Sequence, residues 1–503
     1  MRDEMGLVNY RVFDREKTGR VFLIIFTLSI IYSAGILLSG RFYIDDLGRS
    51  LYGYTNWGYD GRPLSDFIMS ALSFGTPILD LSPLYQILSM AALSFSLAAY
   101  GKKYFHGKDF IVSSVALFFF ISTPFYIENL SYKYDSLPMA LSLSAIIIPF
   151  SLRFGKVQFA ALLIGVICSL SLYQASLSLF LILSAIDIVF ILTREKIENK
   201  IRLLLKRAIC YASAFIFAFA FYKLVITKIS SGGGYAQQHS ALIAINNSFI
   251  HDFMNNLNRI IDWFFIPLYK SAEMIFDLYA ALILISIAII SSRSYKATCS
   301  RVFCFLCITL LLLLSFTASF IHISILKEPV FATRVLISFT GFVLFSSFLI
   351  VHAFKSRTIT LLLFSPFFLL TLVFSYSYAN ASNEQDKVDS LLSRNIQYDV
   401  SRLNQDFKYV TIKGVMPSAE SKRLVSNKFP IMNSLIPIYM NGDWAWGAMM
   451  LKHYGLNFEK KSYAELKQST DICSSAPLIN SQVYSLYGFG NTLLISFDKK
   501  ACE

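Results

Sequence analysis

Eleven apolar stretches punctuate this chain, at 21–40, 84–100, 109–127, 137–152, 157–173, 176–193, 208–226, 276–292, 302–321, 335–354 and 358–376. Each approaches the ~20 residues an α-helix needs to cross the hydrocarbon core of a bilayer. Composition agrees: 55% of the 503 residues are hydrophobic and 15% are charged, against about 45–50% and about 25% in soluble domains. Forty-six Phe and 28 Tyr exclude a disordered chain, which lacks apolar surface to bury. The expected fold class is an α-helical polytopic membrane protein of about eleven transmembrane helices, followed by one small soluble domain.

A net charge of +13 would suit a nucleic-acid partner, but its placement argues against one. The basic residues fall in short bursts between apolar stretches and never interleave with aromatics on a soluble domain. Arg2, Arg11, Arg15, Lys17 and Arg20 precede the first stretch, which reads as an uncleaved signal-anchor. With that end inside, the inner loops hold Lys102/Lys103/Lys108, Arg153/Lys156, the six basic residues of 194–207, Arg293/Lys296/Arg301 and Lys355/Arg357. The opposite loops, although longer, hold only scattered basic residues, which is the positive-inside bias. Residues 1–20 are then cytoplasmic, 21–376 the transmembrane domain with outer loops 41–83 and 126–136, and 377–503 an outward soluble domain. A further span near 60–80 or 262–275 would invert that tail.

Within the tail, 409–413 and 492–497 alternate like strands, while 391–406 and 462–468 have helical spacing, so a small α/β domain is expected. Gly232-Gly233-Gly234 and the polar residues around it predict a flexible outer loop at about 227–262. Cys473 and Cys502 lie in the tail; in an oxidising compartment they are a candidate disulfide closing a ~30-residue loop, worth about 3–4 kcal/mol. Cys299, Cys304 and Cys307 have poor zinc spacing and no histidines among them, and the six histidines form no ligand motif. No metal and no cofactor is expected. No phosphate-cradling glycine motif lies on the inner side, which argues against nucleotide chemistry there.

Ionisable residues at membrane depth default to a functional reading, and here they crowd the outer loops. The first loop contains Arg41, the adjacent pair Asp45-Asp46, Arg49, Trp57, Asp60 and Arg62. Neighbouring side chains point in different directions, so one carboxylate can face a cavity while the other makes a structural pair. A partly desolvated carboxylate suits general-base work on a hydroxyl; solvated Asp–Arg pairs are the competing reading. The second loop, 126–136, carries Lys133, a candidate point charge for phosphate, and Asp135, which would orient it. Its tyrosines fit an interfacial belt equally well. Tyr173-Gln174 and Arg334 sit at other outer span ends, and Arg334 suits bidentate phosphate capture or snorkelling to headgroups. Outside an inner membrane there is no nucleotide pool, so bond formation there needs a donor activated inside and carried across. A lipid-linked phosphosugar meets that need.

The pattern Tyr43-x-Asp45-Asp46-x-Gly48-Arg49, then Trp57, Gly61-Arg62-Pro63-Leu64 and Asp80-Leu-Ser-Pro83, resembles the bacterial and phage type II glucosyltransferases that modify lipopolysaccharide O-antigen. Tyr132-Lys133-Tyr134-Asp135-Ser136, Leu172-Tyr173-Gln174-Ala175 and Arg334-Val-Leu fit the same family. The resemblance covers about residues 20–380. It implies a C-type glycosyltransferase architecture in a bacterial inner membrane, with the N-terminus cytoplasmic and the C-terminal domain periplasmic. The implied reaction moves glucose from undecaprenyl phosphate glucose to an O-antigen sugar, in functional coupling with a flippase and a donor-lipid synthase. The family's catalytic aspartate carries onto Asp45 or Asp46, with Asp46 preferred. Substrate and phosphate contacts carry onto Arg49, Arg62, Lys133, Asp135, Tyr173, Gln174 and Arg334. Two other readings compete: an O-antigen polymerase, which would change chain length, and a transporter or flippase, which would show Gly/Pro-broken midplane spans.

Overall fold

The computed structural model describes residues 15–193, 200–230, 233–294, 301–442, 444–470, 472–473 and 475–498. By its internal contacts the chain forms two units: Met1–Leu37 with Thr55–Tyr376, and Leu38–Tyr54 with Ser377–Glu503.

Each of the eleven apolar stretches coincides with helix in the first unit. Among the described residues, seven helices are long and apolar enough to cross a membrane: Glu16–Leu37, Leu84–Tyr104, Gln174–Leu192, Ile201–Ser230, Glu273–Arg293, Arg301–Ser324 and Arg357–Ser401. Three shorter apolar helices accompany them, Ser136–Ser151, Lys156–Leu172 and Phe339–Ala353. Large apolar side chains such as Leu23, Phe217, Leu313 and Leu369 point outward and stay exposed, which only a lipid environment makes favourable. The chain is a membrane protein.

Small residues let these helices close on each other. A Cβ added at Gly165 would lie 2.3 Å from the backbone oxygen of Ala145, so helix Lys156–Leu172 meets Ser136–Ser151 backbone to backbone. Buried serines on the first helix return their hydroxyls to carbonyls one turn back, Ser29 to Ile25 and Ser33 to Ser29, each at 2.7 Å.

Two local expectations give way. Stretch 109–127 is not one helix: Phe110–Phe118 ends, and Pro124–Ser131 begins after a turn. Thr123 before Pro124 is extended, as the proline ring requires of its predecessor. The flexible loop expected at 227–262 holds helices Gly234–Ser240 and Phe249–Ile260. Phe249, Ile250, Phe253, Met254, Leu257 and Ile260 recur at helical spacing, a stripe masked in composition by the asparagines between them.

The second unit is α/β. Strands β1 (Tyr409–Lys413), β2 (Glu459–Lys460), β3 (Ile479–Asn480), β4 (Ser485–Phe489) and β5 (Thr492–Ser496) form one sheet in the order β2-β1-β5-β4-β3. β1 runs parallel to both neighbours, and β4–β5 is an antiparallel hairpin. Its two-residue turn places Gly490 at φ +56, a conformation hairpin turns need and glycine adopts without strain. Leu392 and Ile396 of helix Arg357–Ser401 pack into the core with Val410, Ile412, Leu486, Leu493 and Ile495. Cys473 is exposed, and Cys502 lies outside the described residues.

Residues 38–54 belong to this unit because of long-range polar contacts. The Arg41 guanidinium meets Asp389 at 3.0 Å and the carbonyl of Pro437 at 2.5 Å, across 348 and 396 residues of sequence. The Tyr43 hydroxyl donates to the Leu435 carbonyl at 2.9 Å. Loop 41–83, one segment on the sequence, therefore divides between the two units at residue 54.

Candidate active site

In the second unit, the chain between Arg41 and Tyr54 presents the two carboxylates in different environments. Ile44 stands at φ +49, a left-handed conformation that a β-branched residue adopts only when its surroundings impose it. Tyr439 supplies the constraint: its hydroxyl donates to the Phe42 carbonyl at 2.6 Å and accepts from the Ile44 N–H at 3.2 Å. The chain then enters helix Asp46–Tyr52. Asp46 is fully buried, and its Oδ2 accepts from the Tyr43 N–H at 3.1 Å. Asp45 caps the helix by position without a side-chain cap bond. Its side chain keeps 35% exposure and faces the Arg49 guanidinium at 3.9 Å. Geometry thus reverses the preference for Asp46: of the pair, Asp45 is the accessible carboxylate and Asp46 the brace.

Behind them, Asp389 accepts from Arg41 and from Gln385, the latter at 2.8 Å. Burial pushes the Asp389 carboxyl up, with Arg41 opposing. Burial, and secondarily the Arg41 charge, lowers Lys422 to about 8.

In the first unit, the three candidate cations are each held by partners. Arg62 donates from Nε to Gln174 Oε1 at 2.9 Å and lies over the Tyr173 ring at 4.9 Å. Gln174 in turn donates to the Asp60 carbonyl at 2.8 Å and meets the Tyr222 hydroxyl at 3.1 Å. Arg334 pairs with Glu128 at 2.9 Å, and the same carboxylate accepts the Arg334 N–H at 2.7 Å and the Thr333 hydroxyl. The Tyr173 hydroxyl donates to the Arg334 carbonyl at 3.3 Å, so Tyr173 links Arg62 to Arg334. Burial pushes that hydroxyl up to about 12, with the two arginines opposing; it stays a neutral donor. Lys133 lies 3.6 Å from Asp80. The Trp57 indole donates to Asp135 at 2.6 Å, and Asp66 accepts the N–H groups of Trp57 and Gly58.

The structure therefore joins Arg62, Tyr173, Gln174 and Arg334 in one network, holds Lys133 and Asp135 on their own partners, and carries Asp45, Asp46 and Arg49 in the other unit. Sequence reasoning missed Glu128 as the residue that orients Arg334, and missed Tyr222. Glu128 was visible as an acidic residue in a polar outer loop. Tyr222 stands inside an apolar stretch, where no sequence signal separates it from core. Among the described residues no group of three His, Cys, Asp or Glu gathers to hold a metal ion.

Residues 35–350 match the family model of the glucosyl transferase GtrII, well over half of the chain. The chain belongs to the GtrII glucosyltransferase family. It is accordingly a glycosyltransferase. An uncharacterized 55.3 kDa protein encoded in the region 5′ of gtrB in Salmonella phage P22 is 32% identical over 487 residues, covering 95% of this chain and 99% of the phage protein. That likeness extends through the tail unit, which the family match does not reach. No solved structure matches the chain.

Proposed function

We propose that this GtrII-family chain transfers glucose from undecaprenyl phosphate glucose to a sugar hydroxyl of lipopolysaccharide O-antigen, on the periplasmic face of a bacterial inner membrane. The observation that carries the reading is the family match, because residues 35–350 contain the Asp45–Asp46 pair and all three candidate cations. The phage relative's place beside gtrB fits an O-antigen setting. The basic bursts support an inner N-terminus, eleven crossings and an outer tail.

In this mechanism Asp45 takes the proton of the acceptor hydroxyl, whose oxygen bonds to the glucosyl anomeric carbon as the bond to the lipid phosphate breaks. General-base help of this kind contributes roughly 10²–10⁴-fold. Arg334, oriented by Glu128, and Arg62, oriented by Gln174, stabilise the departing phosphate, and fixed donors of this type are the larger electrostatic contribution. Lys133 adds a third positive charge. Arg49 holds Asp45 ionised, and Asp135 fixes the Trp57 loop.

Carbohydrate composition of lipopolysaccharide from cells with and without the chain tests the reading. A new terminal glucose on O-antigen is expected. An unchanged sugar profile, or a changed ladder length without added glucose, would replace it with the polymerase or transporter reading.

A further inference from the structure

The first unit contains a cavity of about 150 Å³ that the reaction above does not use. Its walls are almost wholly apolar and include Phe119, Phe276, Phe339, Val343 and Phe367. An apolar cavity of about this size stays dry and accepts a molecule such as benzene. One isoprene unit has a similar carbon count.

Two polar atoms break the apolar lining. Ser122 and Thr123 both line the cavity and are 2% and 3% exposed. Neither hydroxyl has a hydrogen-bond partner among the described residues. A threonine that opens a helix ordinarily turns its hydroxyl to the free N–H groups of the first turn; Thr123 opens Pro124–Ser131 without doing so. A buried hydroxyl left unmatched costs about 1–3 kcal/mol, so two side by side mark a place where an oxygen-bearing ligand belongs.

The elements around the cavity are those of the cation network. Helix Pro124–Ser131 begins at the cavity and carries Glu128; the turn Thr333–Leu336 carries Arg334 and leads into Phe339. Phe125 and Phe339 stack edge to face, 5.1 Å apart, where the two meet. An apolar slot, a pair of unmatched hydroxyls and an oriented arginine thus follow one another along the same two segments.

We infer that this slot seats the isoprene unit nearest the phosphate of the lipid-linked donor, with the Ser122 and Thr123 hydroxyls donating to phosphate oxygens. The inference rests on the glucosyl-transfer reading and adds a specificity to it: the slot has room for the phosphate-proximal end only, so the protein reads that end of the polyprenyl chain and ignores its length.

The test uses the full chain in detergent with two donors, undecaprenyl phosphate glucose and a short geranyl phosphate glucose. Wild type is expected to use both, with kcat/KM values within a few-fold of each other. Val343→Trp fills the slot and should raise donor KM at least tenfold while kcat stays within about twofold. Ser122→Ala with Thr123→Val should raise donor KM about fivefold or more, the loss expected for one or two hydrogen bonds. Leu369→Trp, on an outward-facing position that is 62% exposed, should change nothing. Independently of any variant, a benzophenone-tagged geranyl phosphate should label peptides spanning 119–124 or 339–343. Unchanged donor KM in both slot variants, labelling confined to other peptides, or strict dependence on the long chain would overturn the inference and leave glucosyl transfer standing. If wild type uses neither donor, the transfer reading fails and the inference fails with it.

Discussion

The two units hold their candidate chemistry in opposite ways. In the membrane unit every candidate cation is locked: Arg62 by Gln174 and the Tyr173 ring, Lys133 by Asp80, Arg334 by Glu128. In the tail unit the locking falls on neighbours of the candidate base, and Asp45 itself remains part-exposed while Asp46, Arg41 and Tyr43 are buried. Phosphate capture needs preorganised charge that costs nothing to reorient as the leaving group departs. A general base needs access to a mobile hydroxyl and a rigid mount behind it. The contrast assigns binding to the membrane unit and proton transfer to the segment carried by the tail.

The largest effect that would break this contrast is on Asp45. Asp45→Asn is expected to lower kcat by roughly 10²–10⁴-fold with donor KM little changed, whereas Asp46→Asn keeps an oxygen to accept the Tyr43 N–H and should lose no more than several-fold. Both are read in a transfer assay on the detergent-purified chain. Equal losses in the two variants would erase the distinction between base and brace.

Next comes the mount. Arg41→Ala leaves Asp389 buried without its main partner, a change that costs about 3–5 kcal/mol in buried pairs. Hydrogen exchange should speed up in peptides of the tail unit and stay unchanged in helices Leu84–Tyr104 and Ser136–Ser151. Uniform loosening of both units would show that the pair stabilises the whole chain, against the division described above.

The pH dependence sharpens the same point. Lys422 titrates near 8 when folded, against an ordinary 10.5. Below pH 8 both folded and unfolded forms hold the proton, and the cost of burying the charge is fully present. Between about 8 and 10.5 the unfolded chain holds more protons, so tail-unit stability rises with pH across that window. Lys422→Met should flatten the rise and stabilise the tail by up to about 3 kcal/mol, seen as slower exchange there. A tail unit that loosens between pH 8 and pH 10 would contradict the burial of this charge.

The smallest effect concerns the membrane unit's loops. Trp57→Phe removes one hydrogen bond to a charged acceptor, worth about 1.5–3 kcal/mol, and should raise donor KM modestly while leaving kcat near wild type. A large fall in kcat instead would bring Trp57 into the chemistry.

Most of the membrane unit was legible because crossing helices announce themselves by length and apolarity, and the strands at 409–413 and 492–496 by alternation. The break at Phe119–Thr123 was less so, although Pro124 marks it in retrospect. What sequence could not show was long-range. Arg41 and Asp389 are 348 residues apart, and nothing local assigns residues 38–54 to the tail. The choice between Asp45 and Asp46 was hidden for a related reason. It turns on the left-handed Ile44, a conformation that sequence argues against and that Tyr439 imposes from a distance. Arg334 was visible as a cation at a span end; its orientation depends on Glu128, two hundred residues earlier, through three separate donors.

One measurement bears on the division of labour most directly: steady-state transfer from undecaprenyl phosphate glucose by Asp45→Asn and Arg334→Ala, with kcat and donor KM determined separately. The expected outcome is a collapse of kcat at retained KM for Asp45→Asn, and a raised donor KM for Arg334→Ala. An Asp45→Asn protein that turns over at the wild-type rate would contradict it.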